Sequence, residues 1–176
     1  LVLTPIFSKK RDKIFYVRYF QGRPQIFALD LENLRSQKLG GFRITALSPS
    51  AHHTDENLVL LSAINDGNSD IYEMNIMENA ARKLTTSPAI DTTPSYSPDG
   101  DYITFSSDRS GSQQIYIMTR DGYSLKRLSK GSGSYSKPVW SPDGKMIAYT
   151  KIQAGQFYIG VMSFDGSSER ILSSGY

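Results

Sequence analysis

Cysteine is absent from the 176-residue chain, which excludes disulfides and thiol chemistry without identifying a compartment. Tryptophan occurs once and histidine twice, with His52 and His53 adjacent, so a Ser/His/Asp triad would need a long loop excursion. There is no run of about 18 apolar residues of the kind that spans a bilayer as a helix. A Gly-x-Ser-x-Gly elbow, a Gly-x-x-x-x-Gly-Lys-Ser/Thr phosphate loop and a His-Glu-x-x-His zinc motif are all missing. Charge of one sign is scarce too. The net charge is +3, the pI is about 9.0, and the basic residues are scattered as Lys9-Lys10-Arg11, Arg82-Lys83 and Lys126-Arg127. No basic stripe interleaved with aromatics is present, which argues against nucleic-acid binding. No signal peptide is visible, and Leu1-Val2-Leu3-Thr4 reads as the lip of a strand, as expected of a mature or excised fragment. An enzyme active site wholly within the chain is not expected, which leaves a recognition surface.

What the chain does hold is apolar content of 39%, with 11 tyrosines and 8 phenylalanines, a composition suited to strands. The segment Ala89–Ser129 reads as four strands, Thr93–Ser97, Tyr102–Ser107, Gln114–Thr119 and Leu125–Ser129. Turn signals separate them: Ser97-Pro98-Asp99-Gly100, Ser110-Gly111-Ser112 and Asp121-Gly122. The pattern recurs. Trp140-Ser141-Pro142-Asp143-Gly144 repeats Tyr96-Ser97-Pro98-Asp99-Gly100 at a spacing of 44, the spacing also of Leu84, Leu128 and Leu172. A four-strand unit at that period signals a β-propeller blade. The predicted class is all-β, with four blades at about 3–39, 43–85, 89–129 and 135–173.

In the first blade the strands are Thr4–Ser8, Lys13–Tyr19, Gln25–Asp30 and a weak Ser36–Leu39, and its first turn, Lys9–Lys13, has lost proline and glycine. In the second they are Thr45–Pro49, Asn57–Ser62, Asp70–Asn75 and Arg82–Thr85. The fourth has Lys137–Ser141, Met146–Lys151, Gln156–Met162 and Arg170–Ser173. Apolar residues occupy both faces of the middle strands (Ile103 and Phe105 against Tyr102, Ile115 and Ile117 against Tyr116 and Met118). Each blade is therefore expected between two neighbours rather than with one face in water. Tyr96 and Trp140, in one register, read as inter-blade core. Asp99 and Asp143 read as turn residues, and Asp108 as a local ion pair with Arg109. The insertion Ser50–Glu56 replaces the tight turn of the second blade. Its His-His-x-Asp-Glu cluster invites a metal reading, but the plainer reading, a solvated rim loop, is adopted, and no metal ligand is assigned.

Several stretches carry a family resemblance: Gly22-Arg23-Pro24-Gln25-Ile26-Phe27, Arg82-Lys83-Leu84-Thr85, Ala89-Ile90-Asp91-Thr92-Thr93-Pro94, Ser106-Ser107-Asp108-Arg109-Ser110-Gly111, Gln114-Ile115-Tyr116 and Gly175-Tyr176. Together with the repeated Ser-Pro-Asp-Gly turns, they make the chain resemble the PD40-type propeller repeat and, more narrowly, the TolB family of the Gram-negative Tol–Pal system. The resemblance implies a periplasmic, non-enzymatic protein in which a six-bladed propeller follows an N-terminal α/β domain. In that family the lipoprotein Pal binds at the channel mouth, the N-terminal segment contacts TolA, and colicins exploit the same propeller face. Outer-membrane integrity and cell division are the processes served. Attachment to the outer membrane would be peripheral, through Pal. Against that pattern the α/β domain and two blades are expected to be absent here, and TolA contact with them. Carried over by position, the Pal-facing loops are Leu3-Thr4, Arg43-Ile44, Asp91-Thr92-Thr93 and Tyr135-Ser136-Lys137. No cofactor is expected, although family members can hold calcium in the channel. Two rival readings are a gating propeller of a prolyl-oligopeptidase-type peptidase and a structural or sugar-binding propeller with a channel metal.

Overall fold

Paired hydroxyl and carboxylate side chains set the strand ends of this protein. Ser97 Oγ donates to Asp99 Oδ1 at 2.5 Å and accepts the Tyr102 amide at 2.9 Å. Ser141 does the same with Asp143 and the Met146 amide (2.6 and 2.9 Å). The first blade has neither Pro nor Gly at this turn, yet Ser8 donates to Asp12 at 2.7 Å and accepts the Lys13 amide at 3.0 Å. The hydroxyl–carboxylate lock thus survives where the turn's sequence signature does not. In each pair the hydroxyl accepts a strand-entry amide that would otherwise be left to water.

The structure, a computed structural model, describes residues 2–40 and 45–173. Among these residues sixteen strands form four separate antiparallel sheets, each in sequential order. The first holds β1 (Val2–Phe7), β2 (Lys13–Phe20), β3 (Arg23–Asp30) and β4 (Ser36–Lys38). The second holds β5 (Thr45–Ala51), β6 (Leu58–Asn65), β7 (Asn68–Asn75) and β8 (Ala80–Lys83). In the third are β9 (Asp91–Tyr96), β10 (Tyr102–Ser107), β11 (Gln114–Thr119) and β12 (Lys126–Arg127). The fourth has β13 (Ser134–Trp140), β14 (Met146–Gln153), β15 (Gln156–Ser163) and β16 (Glu169–Ser173). These are the blades of a β-propeller. The expected fourth strand Leu125–Ser129 shortens to two residues because Leu128 and Ser129 turn inward, Leu128 into the core and Ser129 onto the Ile115 amide.

The first strand of each blade runs from what is called here the upper end to the lower end, where the Ser–Asp turns lie. Each pair of successive blades shares its own apolar cluster. Phe15, Ile26 and Ala28 meet Val59, Leu61 and Met74. Leu60 and Ile71 meet Tyr96, Ile103 and Phe105. Ile115, Ile117 and Leu128 meet Tyr135, Trp140 and Ile147. Burying one such side chain stabilises by roughly 1.5–3 kcal/mol.

Polar ties reinforce the blades and a junction between them. In the second blade Thr85 Oγ1 accepts the Ile71 amide and donates to Asp70, and the third repeats this 44 residues on, with Ser129, the Ile115 amide and Gln114. Between these blades Glu73 is a buried hub that accepts Tyr96 Oη at 2.8 Å, Arg120 Nε at 2.9 Å and an Arg82 guanidinium N–H at 2.9 Å. Burial pushes the Glu73 carboxyl upward, but the bonds from Arg120, Tyr96 and Arg82 outweigh it and leave it below its ordinary value. The junction carries a carboxylate, not a carboxylic acid.

The turn locks predict an acid response. Asp12, Asp99 and Asp143 lie below their ordinary value chiefly because a serine hydroxyl bonds each. The Ser167 amide and hydroxyl, with Ser163, bring Asp165 to about 2. A depressed carboxylate contributes stability above its unfolded pKa near 3.8 and loses it as pH falls through the folded value. Urea midpoints are therefore expected to hold down to about pH 4 and fall between about pH 4 and 2. A flat profile across that window would remove the locks as stabilising elements.

Candidate partner-binding face and channel

The innermost strands carry the same irregularity in all four blades. Pairing slips between Leu3 and Ile6, between Leu47 and Ser50, between Ser136 and Val139, and opposite β9 between Thr104 and Ser106. At each slip sits a non-glycine residue with positive φ: Thr4 (48°), Ser48 (49°), Thr93 (49°) and Lys137 (53°). Each precedes a proline: Pro5, Pro49, Pro94 and Pro138. A residue before proline prefers extended backbone, and a left-handed non-glycine costs about 1–3 kcal/mol. Four identical outliers in register are therefore a built feature. A bulge re-aims a side chain, and here all four line one channel cavity of about 710 Å³. Ser106 braces two of them, sharing a 2.8 Å bond with Thr93 Oγ1 and accepting the Lys137 amide at 3.2 Å.

Of the expected loop residues, Thr4, Thr93 and Lys137 occupy equivalent channel-facing positions, and Leu3, Thr92 and Ser136 lie beside them in β1, β9 and β13. Arg43 and Ile44 lie outside the described residues. The register-equivalent position of the second blade is Ser48, which sequence reading missed although the Ser48-Pro49 dipeptide marks it. Two other expected contacts face inward. Asp91 is fully buried, and both its oxygens accept from Arg109 Nη2 at 2.9 and 3.0 Å. The Arg109 guanidinium lies 5.4 Å from the Phe105 ring centre and 5.0 Å from that of Tyr116. Asp91 is thus a positioning residue beneath Thr92 and Thr93, and Arg109 pairs with it rather than with neighbouring Asp108, which accepts the Ile90 amide instead. Tyr135 is likewise buried, donating to Glu169 at 2.9 Å.

His52 departs from the expected solvated loop. It stands where the other blades have Ser8, Ser97 and Ser141, each with its amide bonded back across the turn, and is only 3% exposed. Its Nδ1 accepts the Thr54 and Asp55 amides at 3.1 and 3.0 Å, and its ring meets Tyr96 edge-on at 4.4 Å. Burial, helped by Arg120 and opposed by Asp55 and Glu73, pushes the imidazole down, so it is neutral near pH 7. His53 is exposed, and no metal-ligating cluster of three or more His, Cys, Asp or Glu occurs among the described residues.

Sequence reading also missed apolar residues at the upper end. Tyr19 and Phe20, Ile64 and Phe157 flank the tips of the β2–β3, β6–β7 and β14–β15 hairpins, and Ile90 lies on a blade linker. All are exposed. The available signal was an apolar residue at or beside a polar turn, as in Ile64-Asn65-Asp66-Gly67. The calcium expectation fits poorly. Calcium takes six to eight oxygen ligands, carboxylates prominent among them, and among the described residues no Asp or Glu lines the cavity.

Known proteins share this architecture. The family model described as the TolB beta propeller domain, PD40, matches residues 1–176. The chain is 48% identical over 93 residues to the Tol-Pal system protein TolB of Dinoroseobacter shibae, covering 52% of this chain and 21% of that protein. It is 46% identical over 87 residues to the protein of the same name from Gluconobacter oxydans, covering 49% and 19%. Each match therefore takes in about a fifth of the curated relative. The crystal structure of TolB from Acinetobacter baumannii superposes with a TM-score of 0.89 at 30% identity, covering 99% of this chain and 44% of that one.

Proposed function

Since this chain belongs to the TolB β-propeller family, we propose that it is a non-enzymatic periplasmic binding module of the Tol–Pal system that engages the lipoprotein Pal at the upper channel mouth. Outer-membrane integrity and cell division would be served through that contact, with TolA reached only by an N-terminal segment outside this sequence. The observation that carries the reading is the set of four left-handed, pre-proline residues, Thr4, Ser48, Thr93 and Lys137, turned into one channel. Backbone strain repeated at one place in every blade is kept for contact rather than for stability. The exposed apolar hairpin tips supply the kind of surface a protein partner covers. The relatives at 46–48% identity favour this reading over a peptidase gate.

Calorimetric titration of the Pal periplasmic domain into the chain tests it. Thr92→Ala with Thr93→Ala is expected to weaken binding about tenfold, the scale of one or two lost interface hydrogen bonds, with an unchanged circular dichroism spectrum. No heat with this chain or with a complete propeller would overturn the reading. Heat with the complete propeller alone would assign essential contacts to residues outside this sequence.

A further inference from the structure

The channel is walled by cations and hydroxyls. Lys137 stands midway along β13, Lys9 and Arg11 on the β1–β2 turn at the lower end, and the hydroxyls of Thr4, Ser48, Ser50, Thr93 and Ser95 line the same wall. None of the three cations has a salt-bridge partner among the described residues. Asp12, the carboxylate nearest in sequence to Lys9 and Arg11, is already used by Ser8 and Lys13, and Glu56, which reaches the same turn, pairs with Lys10 at 2.7 Å. A concave site lined by one sign of charge focuses its field on the opposite sign. Three residues of β13 separate Lys137 from the strand's lower end at Trp140, roughly 10 Å at about 3.3 Å per residue, and Lys9 and Arg11 lie beyond the corresponding end of β1, farther than a single small anion spans. Between these cations the wall is amphipathic, with Ile6, Val139, Trp140 and the buried Pro49, Pro94 and Pro138 beside the hydroxyls.

From this we infer that the channel receives an extended acidic polypeptide segment of the partner, its carboxylates meeting Lys137 at one end and Lys9 and Arg11 at the other. The inference rests on the partner-binding reading above and gives that partner its chemistry. Hydroxyls of serine and threonine donate to carboxylate oxygens along the path, and the apolar wall accepts intervening side chains. A calcium ion, for which the wall offers no carboxylate, is not the occupant.

Trp140, the sole tryptophan, lines the cavity and reports on it directly. The experiment follows its fluorescence while the chain is titrated with a blocked six-residue peptide alternating aspartate and leucine, with the matching lysine–leucine peptide, and with inorganic phosphate. Saturable change with the acidic peptide alone is expected, weakened at least tenfold by Lys9→Glu with Arg11→Glu and weakened again by raising salt from 0.05 to 0.3 M. Both substituted residues are exposed turn positions, so the fold is retained. Equal response to both peptides, or an acidic response unmoved by the double charge reversal, overturns the inference. Saturation by phosphate as tight as by the acidic peptide also overturns it, in favour of a small free oxyanion. Pal titration remains a separate readout. Pal binding without acidic-peptide binding removes the acidic-segment inference alone, and the reverse result removes Pal as the partner.

Discussion

Asp91→Ala is expected to destabilise the fold by about 3–4 kcal/mol, the lower part of the range for breaking a buried ion pair by deleting one partner. For a chain of this size that lowers Tm by roughly 6–16 °C. Asp91 is fully buried, and the Arg109 side chain is 17% exposed. Removing the carboxylate strands a guanidinium held over two aromatic rings with only Ser107 Oγ left to accept from it. Arg109→Ala leaves the complementary problem, a buried carboxylate with no cation. The two variants should therefore be far from additive, with a coupling of about 1–3 kcal/mol in a double-mutant cycle read by urea denaturation. Additivity would mean that the two side chains do not hold each other in place. A practical consequence follows for interface mapping. Loss of partner binding on substituting Asp91 would report a loosened β9 entry, whereas Thr92 and Thr93, half-buried at the mouth, report the contact itself.

Gly100→Ala is expected to cost about 3 kcal/mol from two independent sources. Its φ of +82° penalises any L side chain by about 1–2 kcal/mol. An added Cβ would also overlap Cε1 and Nε2 of the buried His52 ring, and overpacking of that kind costs about 1–3 kcal/mol. His52 is itself fixed by two backbone amides and by Tyr96, so it cannot swing aside cheaply. His52→Ala removes the obstacle. The double variant should then be less destabilised than the sum of the singles by about 1–2 kcal/mol, measured by denaturant unfolding at pH 7. Equal sums would show that backbone strain alone explains the glycine.

How much of this was legible in the sequence depended on whether the cause was local. Blade number and strand order followed from the repeated Ser-Pro-Asp-Gly turn and the 44-residue period, because turn chemistry acts over a few neighbouring residues. Thr93 and Lys137 stood out in the sequence because each stands just before a proline at the start of a recognisable unit. In the second blade the same reasoning chose Arg43-Ile44, which lie outside the described residues. Ser48-Pro49 carries the same dipeptide cue as Thr93-Pro94, but a seven-residue loop in place of the tight turn obscured the correspondence. The burial of Asp91 was not readable, because its cation lies 18 residues away across a hairpin. His52 was misjudged for a related reason. A histidine in a polar loop reads as solvated unless one sees that it fills the register position of a turn serine and meets a glycine from the next blade. The exposed upper-end apolar residues were passed over because alternation near a turn ordinarily marks strand ends rather than surface.

Three separate apolar clusters, each shared by only two successive blades, also determine how the molecule comes apart. With no cluster common to all four sheets, stability is a sum of nearest-neighbour couplings, as in a short one-dimensional array. The second and third blades each have a neighbour on both sides, and the first and fourth have one among the described residues. Opening should therefore proceed inward sheet by sheet, and the amides of β6 and β10 should exchange with solvent long after those of β16, whose five residues are all exposed. The Glu73 hub lies at the junction that opens last, so the channel wall formed by β5 and β9 outlives the rest of the arc.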